Sequence, residues 1–435
     1  MSRWSFGAIA ALAVTSCASS HSTTPATAGT LDAGFGSGGK VSTDLGSSAD
    51  HARAVAVQSD GKIVVAGSAQ DPAQGDNFAI VRYTADGQLD AGFGDHGKVS
   101  TDFGGKADVA NAVAIESDGK IIVAGTSHGT ATGDNIALAR YTADGKPDTG
   151  FGDGGKVSTD LGTQADHANA VAVQSDGKIV VAGSTHDPDP AQGDDFVVVR
   201  YASDGKPDTG FGRNGVVSTD FGGKADVANA VAIQTDGKIV AAGTSHGTTT
   251  GDNIALARYT ADGMLDAGFG DGGKVSTDLG TQADHANAVA LTSEGRIVIA
   301  GSTHDPAQGD NFVLVRYTAD GKQDTGFGDG GKATTDFGGK ADVAYGLAIA
   351  PDGKLVAAGT STGTATGDNI ALARYSADGK PDNGFGDGGK ISTDLGTKAD
   401  HGSAVALQSD GKILVAGSTA DPQQGDNFVV VRYNA

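Results

Sequence analysis

One unit of about 58 residues occurs seven times along the chain, and this repeat constrains the fold more than any other feature. Gly-Phe-Gly marks the start of each copy, and Arg-Tyr marks its end. Successive copies are 58 residues apart, except for one step of 60 where Asp187-Pro-Asp-Pro190 adds two residues. Repeats of this kind stack into one architecture, so we expect a single repetitive domain over residues 31–435.

Each copy predicts four strands and no helix. In the first copy they are Lys40–Leu45, Ala52–Gln58, Lys62–Ser68 and Phe78–Tyr83. Ser59-Asp60-Gly61 predicts a hairpin turn, because Asp offers a side-chain acceptor and Gly accepts a positive φ. No proline falls inside a predicted strand. The sequence therefore predicts an all-β protein.

The second strand of each copy is expected to be buried on both faces. Strict alternation places Ala52 and Ala54 on one face, and Arg53, Val55 and Val57 on the other. Small residues on one face and branched residues on the other allow neighbouring sheets to pack closely. This pattern is typical of the inner strand of a propeller blade.

Closure of the repeats into a ring is favoured over an open stack. Open solenoids need atypical polar end repeats, whereas the end copies here match the middle ones. If each outer strand comes from the start of the next copy, the last blade lacks one and Lys40–Leu45 is spare. We predict a seven-bladed β-propeller closed by the N-terminal strand joining the last blade.

The copies alternate between two types. Odd copies carry Asp-His before the inner strand, and even copies carry Asp-Val. Because seven is odd, two odd-type blades should meet where the ring closes.

Gly-Phe-Gly, the Asp-Gly-Lys-Ile-Val-Val-Ala-Gly hairpin and Arg-Tyr-x-x-Asp-Gly resemble the delta-60 repeat of bacterial secreted and surface proteins. The resemblance covers nearly all of the chain beyond residue 30. It implies a propeller-like architecture and an exported location, and it implies no reaction.

Residues 1–16 have the composition of a signal peptide. Arg3 precedes an apolar run from Phe6 to Val14, which is too short to span a bilayer. The run ends in Val14-Thr15-Ser16-Cys17, which resembles the lipobox of bacterial lipoproteins, where the cysteine is lipidated and becomes the first mature residue. The alternative is an ordinary secretory signal with an incidental cysteine. We predict lipidation at Cys17, the only cysteine of the chain.

Residues 17–30 are rich in Ser, Thr and Ala and predict a flexible tether. In the resembled lipoproteins, Asp after the cysteine retains the protein at the inner membrane, and Ala18 stands there instead. We expect a lipid-anchored location in the bacterial cell envelope, at the outer rather than the inner membrane. The formal net charge of −22 argues against nucleic acid as a partner. We expect a monomeric propeller.

Seven aspartates precede the inner strands and are expected to ring one mouth of the central channel. Repulsion between carboxylates there would raise their pKa values or recruit a cation, so we predict a Ca²⁺ site as one interpretation. The alternative is that each Asp caps its own turn. The seven are Asp50, Asp108, Asp166, Asp226, Asp284, Asp342 and Asp400.

Four of these aspartates are followed by a histidine. Metal ligation and acid–base work both suit histidine, but even copies place Val at the same position, which favours ordinary packing or mouth lining. The four are His51, His167, His285 and His401.

The arginine of each Arg-Tyr motif lies on the third strand of a blade, and the aspartate of each Ser-Thr-Asp segment lies on the fourth. We expect the two to pair across the outer edge of the blade, as Arg82 would with Asp102. Other departures from the repeat, Arg53 and Tyr345 among them, are scattered among blades and form no recognisable set.

No catalytic residue is assigned, because catalysis needs a few unlike groups in one place and most polar residues here recur in every copy. The favoured function is a non-enzymatic, lipid-anchored scaffold that binds an envelope protein or a surface polymer. Two alternatives stay open: a hydrolase or lyase at the channel mouth, by analogy of fold, and a calcium-dependent structural protein.

Overall fold

The structure is a computed structural model that describes residues 27–435 except 48, 72–74, 130–132, 163–164, 187–192, 223–224, 248–250, 281–282, 364–366, 398, 422 and 424. The predicted signal peptide, Cys17 and most of the tether lie outside the described residues. Within them the chain forms 28 strands and no helix.

Each blade has an inner strand, two middle strands and a short outer strand. The inner strands are β2 (Asp50–Val57), β6 (Asp108–Ile115), β10 (Asp166–Val173), β14 (Asp226–Ile233), β18 (Asp284–Leu291), β22 (Asp342–Ile349) and β26 (Asp400–Leu407). The next strands outward are β3 (Ile63–Asp71), β7 (Ile121–Gly129), β11 (Ile179–His186), β15 (Ile239–Gly247), β19 (Ile297–Asp305), β23 (Leu355–Gly363) and β27 (Ile413–Asp421).

The third strands are β4 (Gly75–Tyr83), β8 (Gly133–Tyr141), β12 (Asp194–Tyr201), β16 (Gly251–Tyr259), β20 (Gly309–Tyr317), β24 (Gly367–Tyr375) and β28 (Gly425–Tyr433). The outer strands are β1 (Lys40–Thr43), β5 (Lys98–Thr101), β9 (Lys156–Thr159), β13 (Val216–Thr219), β17 (Lys274–Thr277), β21 (Lys332–Thr335) and β25 (Lys390–Thr393).

The strands form seven antiparallel sheets of four, so the predicted seven-bladed propeller is confirmed. Blades 1 to 6 each take four consecutive strands, beginning with β2–β5 as blade 1. Blade 7 has the order β1-β28-β27-β26, which places the N-terminal strand on its outer edge. Val41 pairs with Val430 in this sheet, and Asp32 pairs with Arg432 at 2.8 Å. The chain therefore closes its ring as predicted, with the two odd-type blades 7 and 1 side by side.

The hydrophobic core consists of layers between neighbouring blades. Between blades 7 and 1, for example, Phe35 and Val65 pack with Leu414 and Phe428, and all four are fully buried. The same arrangement recurs at the other six junctions. Each blade thus supplies one face to each neighbour, and this explains why its middle strands are apolar on both faces.

A β-bulge interrupts every inner strand and corrects the predicted alternation. In blade 1 the register shifts between Ala52 and Ala54, which leaves Arg53 as the extra residue. Beyond a bulge the pleat changes phase. Ala52 consequently packs in the same layer as Val55 and Val57, not on the opposite face from them.

The arginine prediction was wrong about the partner. Arg82 binds Asp90 through Nε and Nη2 at 2.9 and 2.8 Å, not Asp102. Its guanidinium stacks over Phe93 and also donates to the carbonyl of Ala143 in the next blade. Asp90 lies just before Gly-Phe-Gly, where the chain returns to the end of the third strand. Arg82 therefore fastens two blades from a buried position, and the equivalent arginines repeat its contact with the next blade at four other junctions and at the closure.

Candidate functional site

The seven bulge residues of the inner strands line a cavity of about 600 Å³ on the propeller axis. A bulge leaves its residue outside the ladder of hydrogen bonds and redirects its side chain. Because neighbouring inner strands lie side by side around the ring, these side chains meet in one place. In blade order they are Arg53, Asn111, Asn169, Asn229, Asn287, Tyr345 and Ser403.

Four of the seven form a belt of amides. The Nδ2 of Asn111 donates to the carbonyl of Ala168 in the next blade at 2.9 Å. Asn169, Asn229 and Asn287 repeat this bond at 2.9–3.0 Å. The belt therefore ties blades 2 to 6 in succession, and we interpret these asparagines as structural.

The remaining three residues, Tyr345, Ser403 and Arg53, come from the consecutive blades 6, 7 and 1. We call them the closure arc. They interrupt the belt on the side where the ring closes. Tyr345 is 45% exposed and is one of the few exposed large hydrophobic side chains of the described residues. One side of the cavity is therefore lined by three different polar side chains, and the opposite side is lined by four asparagines.

Electrostatics distinguish the closure arc from the belt. Arg53 is exposed to the solvent of the channel, but partial loss of hydration among the surrounding blades lowers its pKa, and the carboxylate of Asp76 opposes this effect. The guanidinium stays charged because an arginine pKa is very high. Burial raises the pKa of Tyr345, as do the charges of Asp368 and Asp310, so the phenol is neutral at pH 7. The arc offers one cation, an aromatic ring and two hydroxyl groups.

The predicted histidines fall into two sets. His51 and His401 line the cavity beside the closure arc, and they lie 3.7 and 3.8 Å from Asp426 and Asp368 of the preceding blades. His167 and His285 approach Asp134 and Asp252 of the preceding blades in the same way, at 3.8 Å, and also lie 3.5 and 3.4 Å from the hydroxyl groups of Thr126 and Thr244, but they do not line the cavity. The closure therefore brings two histidines to the arc.

The seven aspartates lie deeper than predicted. Each is at most 1% exposed and none lines the cavity. One carboxylate oxygen of each accepts a main-chain N–H from its own loop, as Asp50 does from Leu45 at 2.7 Å. The same bond recurs at 2.6–2.8 Å in Asp108, Asp166, Asp226, Asp284, Asp342 and Asp400. This is the turn-capping alternative, and calcium binding by these residues stays a prediction.

The hydroxyl group that caps the second carboxylate oxygen differs between the two blade types. The second oxygen of Asp166 accepts a hydroxyl hydrogen bond from Thr185 at 2.6 Å. Asp284 and Asp400 do the same with Thr303 and Thr419. In even-type blades Ser127, Ser245 and Ser361 stand in the place of these threonines, and their hydroxyl groups interact with Asp108, Asp226 and Asp342, although the second carboxylate oxygens have no hydrogen bond of normal geometry. Burial raises the pKa of these three carboxyls.

Sequence reasoning singled out Arg53 and Tyr345 of the closure arc, but it missed Ser403 and the convergence of the three. Arg53 and Tyr345 are far apart in the chain and stand out only as departures from the repeat. Aligning the copies would place Arg, four Asn, Tyr and Ser in one column. The sequence does not reveal the bulge at this position, and the bulge is what turns these side chains into the channel.

None of the described residues belongs to a helix long and apolar enough to cross a membrane. Fold and cavity define this protein as a seven-bladed β-propeller with an axial polar channel.

The chain belongs to the family described as Domain of unknown function (DUF5122) beta-propeller. The family model matches residues 58–93, 116–151, 174–211, 234–269, 292–327, 350–385 and 408–435, one segment per repeat. This confirms a propeller repeat family, while the delta-60 name and the lipoprotein signal stay predictions.

Solved structures show similarity of fold alone. A virginiamycin B lyase from Staphylococcus aureus is 12% identical, with a TM-score of 0.49 and coverage of 90% of this chain and 98% of that chain. A glucose dehydrogenase is 12% identical, with a TM-score of 0.43 and coverage of 90% and 99%. An ulvan lyase is 14% identical, with a TM-score of 0.41 and coverage of 90% and 96%. No curated protein sequence matches the chain.

Proposed function

We propose that this protein is a lipid-anchored binding protein of the bacterial cell envelope, whose propeller holds an acidic group of a surface polymer at the channel. The observation that carries the proposal is the closure arc, where Arg53, Tyr345 and Ser403 depart together from a uniform ring. The lipobox-like Val14-Thr15-Ser16-Cys17 supports the anchor.

The chemistry of the arc suits a carboxylate-bearing sugar. A guanidinium binds a carboxylate through two parallel hydrogen bonds. The exposed ring of Tyr345 offers a flat apolar surface with a hydroxyl at its edge. Ser403 and the amide belt supply further groups for sugar hydroxyls. The cavity of about 600 Å³ is within the range of small-ligand sites.

The overall charge of −22 opposes an anionic ligand at long range. Recognition therefore rests on short-range contacts with Arg53, and Asp76 competes for the same cation. Added salt screens the long-range repulsion more than the contact in the channel. We expect moderate affinity that salt weakens little.

Binding is favoured over catalysis. An activated nucleophile needs a base within about 2.6–3.2 Å. Among the described residues, the contacts between inner-strand histidines and the threonine hydroxyls of the neighbouring blade's second strand are 3.4 and 3.5 Å long. The structure records no hydrogen bond that joins Tyr345, Ser403 or Arg53 to another member of the arc.

A hydrolase or lyase at the same cavity is the second candidate, because several unlike polar groups do converge there. Incubating the protein with acidic polysaccharides and measuring new reducing or unsaturated ends tests it. Turnover that Tyr345→Phe abolishes would favour the enzyme, and binding without turnover favours the scaffold.

The proposed function is tested by equilibrium binding of uronic-acid oligosaccharides to the full-length protein in vesicles. Arg53→Asn should weaken binding at least tenfold, because the only cation of the arc is lost. Arg213→Asn is the control, since it removes the same charge from an exposed loop. Equal losses in both variants would overturn the role of the arc.

The anchor is tested separately with labelled palmitate in cells. Incorporation into the protein that is lost in Cys17→Ala supports it, since two or more acyl chains give stable anchoring. Equal labelling of both forms, or none, would contradict it.

A further inference from the structure

A second cavity lies between blades 2 and 3, on the face of the propeller opposite the closure arc. Its volume is about 600 Å³, and its walls include Glu116 of blade 2 and Ser203 of blade 3. The bulge residue Asn111 is near the start of β6, whereas Glu116 follows the end of this strand at Ile115. The two cavities are therefore separate sites.

Both Glu116 and Ser203 depart from the repeat, and they come from different blades. The position of Glu116 holds Gln in four of the other repeats, Thr in one and Ala in one. The position of Ser203 holds Ala in all six of the others. Two independent departures thus meet on the wall of one cavity, and its chemistry differs from that of the other six junctions.

Glu116 adds one negative charge to a group that is otherwise neutral. In every blade two carboxylates and two cations meet at this end of the middle strands. In blade 2 these are Asp118, Asp148, Lys120 and Arg140, joined by contacts of 2.9–3.4 Å. Glu116 is a fifth member, 3.6 Å from Arg140. Only this blade has a carboxylate in excess.

The extra carboxylate is largely removed from water. The Glu116 side chain is 9% exposed, and its recorded contact with Arg140 is an ion pair too long for a hydrogen bond. Burial raises the pKa of Glu116, Arg140 and Lys120 oppose this effect, and Asp118 and Asp148 reinforce it. A buried charge without compensation costs free energy, so the site needs a proton or a cationic partner.

The glutamine of another repeat shows what Glu116 cannot do. In blade 1, Gln58 accepts a hydrogen bond from Arg82 at 3.3 Å and donates one to the carbonyl of Gly119 in the next blade at 3.4 Å. A carboxylate accepts hydrogen bonds and donates none. Glu116 therefore cannot make the equivalent bond to Gly177, which also lines the cavity. A ligand with N–H groups can donate to both.

Size and charge favour an organic ammonium group over a metal ion. Calcium takes several oxygen ligands, but the other two carboxylates of this group are already paired with cations. One positive charge balances the excess carboxylate, and the cavity has room for a carbon skeleton. Ile115 and Val173 give it apolar walls, and Ser203 adds a hydroxyl group.

We propose that the cavity between blades 2 and 3 binds a hydroxylated primary amine of the amino-sugar class, with its ammonium group at Glu116 and a hydroxyl group at Ser203. An N-acetylated sugar of the same shape lacks the charge and should bind weakly. The site is independent of the closure arc and of the lipid anchor, so its failure would leave the proposed function standing.

The test is calorimetric titration of the full-length protein at pH 7 with glucosamine and, as the uncharged match, N-acetylglucosamine. We expect one glucosamine site per chain and at least about tenfold weaker binding in Glu116→Gln. That variant should fold, because four repeats carry Gln there. Glu294→Gln is the matched control. It removes the same charge from a side chain that is 69% exposed, and it should bind like the wild type.

A gain-of-function variant tests the geometry. Gln234→Glu with Ala319→Ser rebuilds both departures between blades 4 and 5, where Gln234 lines an equivalent cavity of about 440 Å³. The stoichiometry should rise from one to two. No binding of glucosamine by the wild type, or equal binding by wild type and Glu116→Gln, would overturn the proposal. Equal affinity for N-acetylglucosamine would also overturn it, since the ammonium group would then have no role.

Discussion

Among single residues, the arginines of the Arg-Tyr motif each join several groups, and six of them also contact the next blade. Arg82 is 4% exposed and contacts a carboxylate, an aromatic ring and a carbonyl of the next blade at once. Lysine has the charge but not the planar fork that makes all of these contacts possible.

Arg82→Lys should therefore lower the free energy of unfolding by about 2 kcal/mol, through lost hydrogen bonds to charged groups. Chemical denaturation measures the change. Arg213→Lys, in an exposed loop, should change it by less than about 0.5 kcal/mol. Equal effects of the two substitutions would show that the fork of Arg82 is unimportant.

The carboxylates that face these arginines should make the propeller sensitive to acid. Burial raises the pKa of Asp90, but the Gly92 N–H, Lys62 and Arg82 outweigh it, so the pKa lies below its usual value of 3.8. The pKa values of Asp32, Asp148, Asp208, Asp266 and Asp382 are lowered too.

A carboxyl with a lowered pKa stabilises the folded state above its unfolded pKa, and this contribution is lost as pH falls through the folded pKa. The stability difference between wild type and Asp90→Asn should thus be constant above about pH 5 and shrink below about pH 4. Denaturation midpoints between pH 7 and pH 2 measure it. A difference that grows on acidification would contradict the assignment.

At the scale of elements, the junction of blades 6 and 7 departs from the repeat. Gly346 and Gly402 stand where other inner strands have alanine. A Cβ at Gly402 would lie 2.5 Å from the carbonyl oxygen of Gly359, and one at Gly346 would lie 2.8 Å from the nitrogen of Val405. These two blades therefore approach more closely than a Cβ allows, next to two members of the closure arc.

Gly402→Ala restores the residue found at this position in the other repeats and should still destabilise the protein, by about 1–3 kcal/mol, because it overpacks the junction. Thermal denaturation measures this, with Ala286→Gly at the equivalent site of blade 5 as the reverse substitution. Ala286 is fully buried without such a clash, so its loss should also destabilise. A stabilising Gly402→Ala would mean that the junction has room for a methyl group.

The strands were largely predictable from the sequence because the period of two and the Asp-Gly turns are local signals. Lys40–Leu45 and Phe78–Tyr83 overlap the observed Lys40–Thr43 and Gly75–Tyr83. The bulge at Arg53 was not predictable, since it depends on the fit of an inner strand to its neighbours. The partner of Arg82 was missed for a related reason: Asp90 approaches it only after the chain reverses at Thr84–Gln88.

At the scale of the whole molecule, the pairing of β1 with β28 joins the two ends of the described chain and closes the ring. Ser42 and Val429 pair in the closing sheet, and Ala79 and Ser100 pair at the equivalent place inside blade 1. A disulfide stabilises more when the loop it closes is longer, according to the chain-entropy model.

In a Cys17→Ala background, the pair Ser42→Cys and Val429→Cys should stabilise the oxidised protein by about 2–3 kcal/mol more than the pair Ala79→Cys and Ser100→Cys. Denaturation of the oxidised and reduced forms gives both values. A smaller gain for the closing pair would indicate that the ends stay together in the unfolded chain.

The closing contact also explains why two histidines lie side by side at the candidate site. The alternation of two repeat types around a ring of seven brings the two odd-type blades 7 and 1 together. His51 and His401 line the cavity at that place, beside Arg53 and Ser403. The meeting of two odd-type blades and the substitutions at the bulge positions of blades 6, 7 and 1 together give this ring one side that differs from the rest.

The most direct test replaces Arg53, Tyr345 and Ser403 together by asparagine, which makes all seven bulge residues identical. Four blades already carry Asn there with a satisfied hydrogen bond, so the variant should fold with its melting temperature within a few degrees of the wild type. Binding of uronic-acid oligosaccharides, measured by calorimetry, should disappear. Undiminished binding by the folded variant would contradict the account.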